Sequence, residues 1–208
     1  MRITLKIATS LDGRIGTSTG ESQWITGPEA RLQGHRLRAQ HDAVLVGVET
    51  VLADDPRLTV RLPDGETGAE PLRVVLDSKL RTPPFARLAR PGTLILTTRA
   101  VIAVGEAEVL RVAGDTTNRP AIQAVLDTLN SRGVSSLMIE GGGRVAACFI
   151  AAGVVDAIEW FRAPILLGGD GRPGVAALSL ARLAHAPRYR RLAAEPLGDD
   201  LWERYERD

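Results

Sequence analysis

The stretch "SLMIEGGGRVAACF", residues 136–149, decides the fold. Its apolar run fits a strand that ends at Glu140, glycines occupy positions 141–143, and a helix is expected to start near Arg144. The first N–H groups of a helix lack backbone partners and carry partial positive charge, and glycines let a phosphate approach the backbone. This order predicts a pyrophosphate cradle or, equally, a tight strand-to-helix turn, since glycine serves both.

Strand and helix patterns alternate on both sides of this stretch. In "RITLKIATS", Ile3, Leu5 and Ile7 point to one side, which is typical of a strand. The short apolar runs "DAVLVG", "LRVVLDS" and "GTLILTT" fit strands that are buried on both faces, as in a parallel sheet. In "AIQAVLDTLNSRG", apolar residues recur at i, i+3, i+4 and i+7 before Gly133, which predicts a helix.

The remaining elements complete one α/β domain over residues 1–208. A helix is expected in "ITGPEARLQGHRLRAQ", with Thr26 as N-cap, Pro28 in the first turn and an end near Gln40. "DAIEWFRAPILLGG" supplies a strand, and "RYRRLAAEPLGDDLWERYE" two strands around a turn. "RLPDGETGAEP" (61–71) is a surface loop too short to join separate domains. We therefore predict a central, mostly parallel sheet with helices on both faces and C-terminal antiparallel strands.

Composition limits the classes of function. Of 208 residues, 44% are hydrophobic and 25% charged, and 26 basic residues nearly balance 25 acidic ones. This is an ordinary globular composition without the basic excess of a nucleic-acid binder, so any anion site must be local. No apolar run approaches the roughly 20 residues that span a bilayer. We expect a cytoplasmic protein without nucleic-acid or membrane partners, in which the single Cys148 excludes an internal disulfide.

Metal and nucleophile chemistry have little support in the sequence. His35, His41 and His185 lie far apart and lack carboxylate or cysteine partners at metal-ligand spacing, so no metal site is expected. Neither G-x-S-x-G nor a P-loop nor G-x-G-x-x-G occurs. Hydride transfer from a nicotinamide needs few catalytic side chains, because the cofactor carries the chemistry. A nicotinamide-dependent reductase therefore fits the chain.

Two acidic positions are candidates for the site. In Asp54-Asp55-Pro56, the residues either end a helix with solvated acids or place one Asp at the lip of a crevice at the strand ends, where ligands of α/β sheets bind. Glu140 is the better candidate, because it ends its strand beside the glycine segment.

Several basic residues are candidates for binding a phosphate. Arg36, Arg38 and Arg61 could clamp a substrate phosphate through bidentate contacts, although such residues more commonly form an ordinary solvated face. Lys6 differs from them, because it interrupts an otherwise apolar strand and is expected to face a ligand.

Six motifs, taken in order, carry a resemblance to a known family. They are "LKIATSLDGRIG", "GESQWITG", "LRAQHDAVLVGVETVLADDPRLTVR", "PLRVVLDSKLRTP", "IEGGG" and "APILLGG". From about Ile3 to Gly169 the chain resembles the reductase domain of the bifunctional riboflavin-biosynthesis deaminase/reductase. The resemblance implies a dihydrofolate reductase-like fold and NADPH-dependent reduction of 5-amino-6-(5-phosphoribosylamino)uracil to its ribitylamino form. The hydride would go to ribose C1′ through a ring-opened imine.

The resemblance also implies roles for individual residues. The cofactor contacts that it implies are Ala8, Trp24, Thr50, Asp54, Ser78, Gly141, Gly142, Gly143, Arg144 and Val145. The substrate contacts that it implies are Lys6, Ser22, Arg38, Leu58, Arg61 and Glu140. Asp54 would lie between nicotinamide and substrate, which makes it the predicted catalytic residue. The segment "GESQWIT" would cover the site with Trp24 against the cofactor, or Trp24 would instead anchor the loop in the core.

Three alternatives stay open at this point. The alternative substrate is a pterin or dihydrofolate, which would need a buried carboxylate under its ring, whereas a phosphorylated sugar needs Arg38 and Arg61. A non-catalytic nucleotide-binding protein could keep the fold. The NADPH 2′-phosphate could bind Ser78 with Lys79 and Arg81, or the group of residues 97–99, which is Thr97, Thr98 and Arg99.

Assembly is expected to follow the family, which is commonly dimeric. Aromatic residues near the C-terminus are candidates for the interface or, equally, for the core, and they are Trp160, Phe161, Trp202 and Tyr205. The usual partner domain is a zinc deaminase with an H-x-E…P-C-x-x-C signature. With one cysteine, the chain is expected to lack that domain, so a separate deaminase could accompany it.

Overall fold

The computed structural model describes residues 1–64 and 66–208. The strands are β1 (Arg2–Thr9), β2 (Arg14–Gly16), β3 (Ala43–Gly47), β4 (Leu72–Leu76), β5 (Thr93–Thr97), β6 (Glu108–Arg111), β7 (Ser136–Gly141), β8 (Ala157–Arg162), β9 (Arg172–Pro173), β10 (Tyr189–Leu197) and β11 (Asp200–Arg207). The α-helices are α1 (Pro28–Ala39), α2 (Val48–Asp54), α3 (Ile122–Ser131) and α4 (Gly143–Ala151), and a short 3-10 helix spans Leu183–His185.

One nine-stranded sheet organises the molecule, with the strand order β10-β11-β8-β1-β7-β3-β4-β5-β6. Every neighbouring pair from β8 to β6 is parallel, and β11 joins β8 in antiparallel fashion, as does β10 with β11. The predicted mostly parallel sheet with C-terminal antiparallel strands is confirmed. The carboxyl ends of β1, β7, β3 and β4 consequently meet at one edge of the sheet.

Helices cover both faces of this sheet, because the central strands are apolar on both sides. In β3, Ala43 and Leu45 pack with α3 and α4, whereas Val44 and Val46 pack with α1 and α2 on the opposite face. All four of these strand residues are fully buried. The continuous apolar runs of the sequence therefore lie at the centre of a three-layer structure.

The start of α1 differs from the expectation. Its N-cap is Gly27 rather than Thr26, and no side chain of its own segment caps it. The Asp200 carboxylate, from the start of β11, instead accepts a hydrogen bond of 2.6 Å from the Gly27 backbone N–H. The prediction of Thr26 was wrong because a carboxylate distant in sequence occupies the capping position.

Other boundaries depart from the sequence patterns in smaller ways. The strand expected within "DAIEWFRAPILLGG" ends at Arg162, since Pro164 cannot donate to a ladder. The short strands β2 and β9 pair with each other, and β6 lies at the edge of the sheet. Residues 61–64 and 66–71 form the expected irregular loop, of which Gly65 lies outside the described residues.

The C-terminal aromatic residues pack within the chain itself. Phe161 is fully buried, and its ring stacks on Trp202 with centroids 5.8 Å apart. Trp160 and Tyr205 pack against the core on the other face of the sheet. Phe161 is therefore a core residue, whereas Trp160, Trp202 and Tyr205 are partly buried and pack against the core.

Replacing a core leucine of α3 tests this packing. Leu129 is fully buried, so Leu129→Ala should lower the free energy of unfolding by about 2–5 kcal/mol through lost burial and a residual cavity. Urea denaturation measures the change. Leu183→Ala, at a leucine that is 85% exposed, is the matched control and should change stability little. Equal losses in both variants would contradict this account of the core.

Candidate active site

A cavity of about 870 Å³ opens at the carboxyl ends of β3 and β4 and at the N-terminus of α4. Its walls include Gly47 and Thr50 after β3, and Leu76 and Ser78 at the end of β4. Ligands of open α/β sheets bind in a crevice at the carboxyl ends of the strands. Position and size therefore make this cavity the candidate active site.

The N-terminus of α4 forms one wall of the cavity, as the glycine segment predicted. Gly141 has a φ of +109°, a conformation that side-chain-bearing residues rarely adopt. A Cβ on Gly143 would lie 2.2 Å from the Pro173 carbonyl oxygen, so only glycine fits there. The backbone oxygen of Gly142 accepts the first helical hydrogen bond from Ala146, which leaves the preceding N–H groups available to an anion.

Two of the predicted side chains meet at the cavity wall. The Ser22 hydroxyl donates a hydrogen bond of 2.8 Å to the Asp54 carboxylate, and both residues line the cavity. Asp54 ends α2, whereas Ser22 belongs to the loop between β2 and α1. The hydrogen bond therefore ties the loop to the crevice and fixes one carboxylate oxygen of Asp54.

A second group of predicted residues forms a buried ion pair behind the glycine segment. Arg38 of α1 donates from Nε and Nη2 to the two carboxylate oxygens of Glu140, at 2.7 Å and 2.9 Å. The two side chains are only 11% and 12% exposed. The Lys6 ammonium lies 5.4 Å from the centre of the Phe161 ring, and its charge interacts with that of Glu140.

Burial and neighbouring charges shift the pKa values of these groups in opposite directions. Burial alone would raise the pKa of Glu140, but the positive charges of Arg38 and Lys6 outweigh it and hold that pKa below its ordinary value. Burial lowers the pKa of Lys6, and the nearby Glu140 carboxylate opposes that shift. Glu140 is therefore an anion that two neighbouring cations already compensate.

His35 joins this cluster, although the sequence indicated no role for it. Its Nδ1 lies 3.1 Å from the Thr59 carbonyl oxygen and 3.3 Å from both Nη1 of Arg38 and the backbone nitrogen of Arg61. Burial and the charges of Arg38 and Arg61 lower the pKa of His35 to about 4, so the ring is neutral at pH 7. In one neutral tautomer Nδ1 accepts from the two nitrogens, and in the other it donates to the carbonyl oxygen. No spacing rule could find this role, because the contacts join α1 to a loop.

Arg38 is mostly occupied by contacts inside the protein. Besides the two bonds to Glu140, its Nη1 donates to the Thr59 carbonyl oxygen and to His35. These contacts use four of the five guanidinium donors. Arg61, by contrast, has an exposed side chain. Of the three arginines that were expected to clamp a phosphate, Arg36 pairs with Glu66 and Arg38 with Glu140, so Arg61 is the freest.

The sixteen residues implied by the resemblance divide into three groups. The cavity is lined by Ser22, Thr50, Asp54, Ser78, Gly142, Gly143, Arg144 and Val145. The buried cluster contains Lys6, Arg38 and Glu140. The remaining five residues, which do not line this cavity, are Ala8, Trp24, Leu58, Arg61 and Gly141.

Trp24 lies away from the cavity in this structure. Its side chain is 67% exposed, and the Arg31 guanidinium lies 4.7 Å from the ring centre. The alternative in which Trp24 anchors the loop in the core is therefore wrong. Contact of Trp24 with a cofactor stays a prediction.

Several of the residues that line the cavity are basic, and we call Lys79, Arg81 and Arg119 its basic end. Lys79 and Arg81 follow Ser78 along one wall, and Arg81 pairs with Glu49 at 2.6 Å. Among the lining residues that were not predicted are Asp115, Arg119, Pro120, Cys148 and Arg172. Of the group at 97–99, by contrast, no residue lines the cavity.

Within residues 1–64 and 66–208, no group of three or more His, Cys, Asp or Glu residues could hold a metal ion. In the same part of the chain, no helix has the length and apolarity needed to cross a membrane.

The cavity residues fit a dinucleotide. The free N–H groups at the start of α4, where a Cβ is excluded at Gly143, suit a pyrophosphate. The same cavity is also lined by the apolar residues Leu76, Pro120 and Ile122 and by the basic residues Lys79, Arg81 and Arg119. A ligand with anionic groups and an apolar ring system would match this lining.

Comparison with known proteins places these features in a family context. A model of the RibD C-terminal domain family matches residues 1–201. The riboflavin biosynthesis protein RibD of Bacillus amyloliquefaciens is 40% identical over 184 residues, which cover 83% of this chain and 48% of that protein. The chain thus spans about half the length of this relative.

Two further relatives complete the comparison. The 2,5-diamino-6-ribosylamino-4(3H)-pyrimidinone 5′-phosphate reductase of Methanothermobacter thermautotrophicus is 38% identical over 217 aligned positions, covering 98% of this chain and 96% of that protein. The structure of Acinetobacter baumannii RibD superposes with a TM-score of 0.87 at 31% identity, covering all of this chain and 58% of that one. The dihydrofolate reductase-like fold implied by the sequence is confirmed.

Removing the carboxylate of Glu140 tests the buried ion pair. Glu140→Gln leaves Arg38 and Lys6 without a compensating charge and should lower the free energy of unfolding by about 3–5 kcal/mol, measured by urea denaturation. The matched control is Glu66→Gln, because Glu66 forms the same two-bond contact with Arg36 of α1 at the surface. It should change stability little.

The wild type and Glu140→Gln also give a pH test. Because the pKa of Glu140 in the folded state lies below its ordinary value of 4.5, the stabilisation is present above that pH and is lost as the pH falls below it. Glu140→Gln should therefore lose less stability on acidification than the wild type. Parallel acid profiles for both proteins would contradict the assignment.

Proposed function

The chain belongs to the RibD C-terminal domain family, and on that premise we propose that it is an NADPH-dependent reductase of riboflavin biosynthesis. The reaction is reduction of the ribosyl group of a phosphoribosylaminopyrimidine to the ribityl form. The observation that carries the proposal is the cavity in which the α4 N-terminus and the Ser22–Asp54 pair face the same space. An anion site beside a positioned carboxylate is what a dinucleotide-dependent reduction needs.

The proposed substrate is 5-amino-6-(5-phosphoribosylamino)uracil. A second candidate is the corresponding 2,5-diaminopyrimidinone, because the archaeal relative that the chain covers over 96% of its length is named for reducing that compound. The two compounds differ at ring position 2, where one carries an oxygen and the other an amino group. Both keep the phosphorylated sugar on which the reaction acts.

A phosphorylated sugar suits the described side chains better than a pterin does. Arg61 is exposed, and its backbone is held by His35 beside the Arg38–Glu140 pair. A pterin would need a buried carboxylate that is free to accept from its ring. Both Glu140 oxygens already accept from Arg38, and Asp54 is only half-buried. This supports the riboflavin-pathway substrate over the pterin alternative.

Each group of residues has a separate role in the proposed reaction. When bound, NADPH supplies a hydride to C1′ of the ring-opened imine, whose nitrogen takes up one proton. The negative charge of Asp54, oriented by the Ser22 hydroxyl, stabilises the positive charge of the protonated imine. Gly142, Gly143 and the α4 N–H groups hold the pyrophosphate. Lys6, Arg38 and Glu140 orient the substrate from the adjacent cluster.

The remaining parts of the proposal concern domain, assembly and location. We propose a single reductase domain over residues 1–208, since one continuous sheet takes strands from both ends of the chain. A homodimer in the cytoplasm is proposed from the family resemblance. The partly buried Trp160, Trp202 and Tyr205 stay candidates for the dimer interface. We also propose that a separate deaminase acts on another compound of the same pathway.

Oxidation of NADPH in the presence of each substrate tests the function. Absorbance at the nicotinamide band should fall with the phosphoribosylaminouracil or with the diaminopyrimidinone, and the faster of the two identifies the substrate. Dihydrofolate is the control and should give no turnover. Turnover with dihydrofolate alone would overturn the pathway assignment while keeping the cofactor.

Cys148 provides an independent measurement of cofactor binding, because it is the single cysteine and lines the cavity. NADPH should slow its alkylation, and saturation at 100 times Kd should stabilise the fold by about 2.7 kcal/mol. Protection of Cys148 without turnover of any substrate would instead favour the non-catalytic nucleotide-binding alternative.

Asp54→Asn tests the catalytic role of the carboxylate. The substitution keeps size and hydrogen bonding but removes the charge, so kcat should fall about 100-fold, while NADPH still protects Cys148. Asp55→Asn is the matched control. Asp55 has a φ of 38°, which asparagine tolerates, and its carboxylate bonds to the Arg87 backbone N–H. Unchanged kcat in Asp54→Asn would reduce its role to positioning.

A further inference from the structure

We propose that Arg119, assisted by Lys79, binds the 2′-phosphate of NADPH and thereby sets the preference for NADPH over NADH. This inference rests on the proposed function, since it assigns one subsite within the same cavity. It places the 2′-phosphate at the wall formed by Ser78 and the turn at 115–119, and not at the group of residues 97–99.

Arg119 stands opposite the loop after β4. Both Lys79 and Arg119 line the cavity, and Thr98 joins the backbones that carry them. The Thr98 hydroxyl lies 3.2 Å from the Ser78 carbonyl oxygen and 3.0 Å from that of Asn118, and it shares its one proton between them. The backbones of Lys79 and Arg119, which directly follow Ser78 and Asn118, are therefore held close together.

The turn that carries Arg119 is fixed by its own hydrogen bonds. Asp115 donates from its backbone to the Arg119 carbonyl oxygen at 2.7 Å, and one of its carboxylate oxygens accepts from the backbone nitrogens of Thr117 and Arg119. The Thr117 hydroxyl donates to the same oxygen at 2.8 Å. A turn closed in this way presents its arginine from a defined backbone and reduces the entropy lost on binding.

Charge pairing distinguishes Arg119 and Lys79 from the other cations of this region. Arg81 already pairs with Glu49 at 2.6 Å. Across the described part of the chain, neither Arg119 nor Lys79 has a carboxylate within 4.0 Å. A phosphate dianion binds best to cations whose charge is uncompensated, and a guanidinium can contact it with two parallel hydrogen bonds.

The groups that line the cavity match the parts of the dinucleotide. The N-terminus of α4 suits the pyrophosphate, Leu76, Pro120 and Ile122 offer apolar surface to the adenine, and Lys79 and Arg119 offer positive charge to the 2′-phosphate. Cavities selective for NADH commonly place a carboxylate on the ribose hydroxyls. Asp115 is the carboxylate available here, and three donors already occupy one of its oxygens.

The group at 97–99 is less suited to this role. The Thr97 hydroxyl oxygen accepts from the Arg99 backbone nitrogen at 3.2 Å, and Thr98 bonds to the two carbonyl oxygens described above. Their hydroxyls are therefore occupied by the backbone. Arg99 does not line the cavity.

Binding of two adenosine phosphates tests the inference without relying on turnover. Calorimetry compares 2′,5′-ADP with 5′-AMP, which differ only in the 2′-phosphate. Arg119→Gln should weaken 2′,5′-ADP about 10- to 100-fold and leave 5′-AMP unchanged, as expected for loss of charged hydrogen bonds. Arg99→Gln is the matched control and should alter neither affinity. Because Arg119 is exposed, its loss should not affect folding.

Additional variants and the cofactor kinetics complete the test. Arg119→Lys, which keeps the charge but loses the two-bond contact, should give an intermediate affinity, and Lys79→Gln a smaller loss than Arg119→Gln. The ratio of kcat/KM for NADPH over NADH should fall in Arg119→Gln by the factor lost for 2′,5′-ADP. A wild type that uses NADPH but shows an unchanged ratio in Arg119→Gln would overturn this inference and leave the proposed function intact. A wild type that binds neither NADPH nor 2′,5′-ADP would overturn both.

Discussion

The buried contact between Arg38 and Glu140 connects the parts of the molecule that the candidate site depends on. Arg38 belongs to α1 on one face of the sheet, whereas Glu140 lies at the carboxyl end of β7 in its middle. Neither charge is stable inside a protein alone, so each residue requires the other at this position. The contact places α1 over the strand end, and the glycine segment that begins α4 follows directly from Glu140.

The candidate site has two chemically different regions, which are the buried cluster and the cavity. The cluster beside Glu140 contains Lys6, Arg38 and His35, which do not line the cavity and whose charges and hydrogen bonds are largely satisfied within the cluster. The region beyond α4 contains cations that no described carboxylate compensates, among them Arg119. The first arrangement suits orientation of a polar substrate, and the second suits a strongly anionic ligand. The Ser22–Asp54 pair lies in the cavity with the second region, where a carboxylate can act on a bound substrate.

The comparisons bear on the substrate as well as on the family. Relatives named RibD are about twice as long as this chain, whereas the archaeal reductase corresponds to it over nearly its whole length. The name of that reductase specifies a diaminopyrimidinone rather than a uracil. The difference concerns one ring substituent and leaves the sugar chemistry unchanged, so the same cavity can be considered for both compounds.

The amino-acid sequence by itself determined the sheet, the main helices and the glycine segment, because periodicity and glycine placement are local properties of the chain. It also indicated Ser22, Asp54 and Glu140 through the family motifs. Only the tertiary structure decided that Asp200 accepts from the Gly27 N–H at the start of α1, that His35 contacts Arg38 and Arg61, and that Thr98 holds the backbone before Arg119 beside Ser78. Each of these contacts joins segments distant in the chain, or a turn to a strand end, and no local pattern records which side chains the folded sheet brings together.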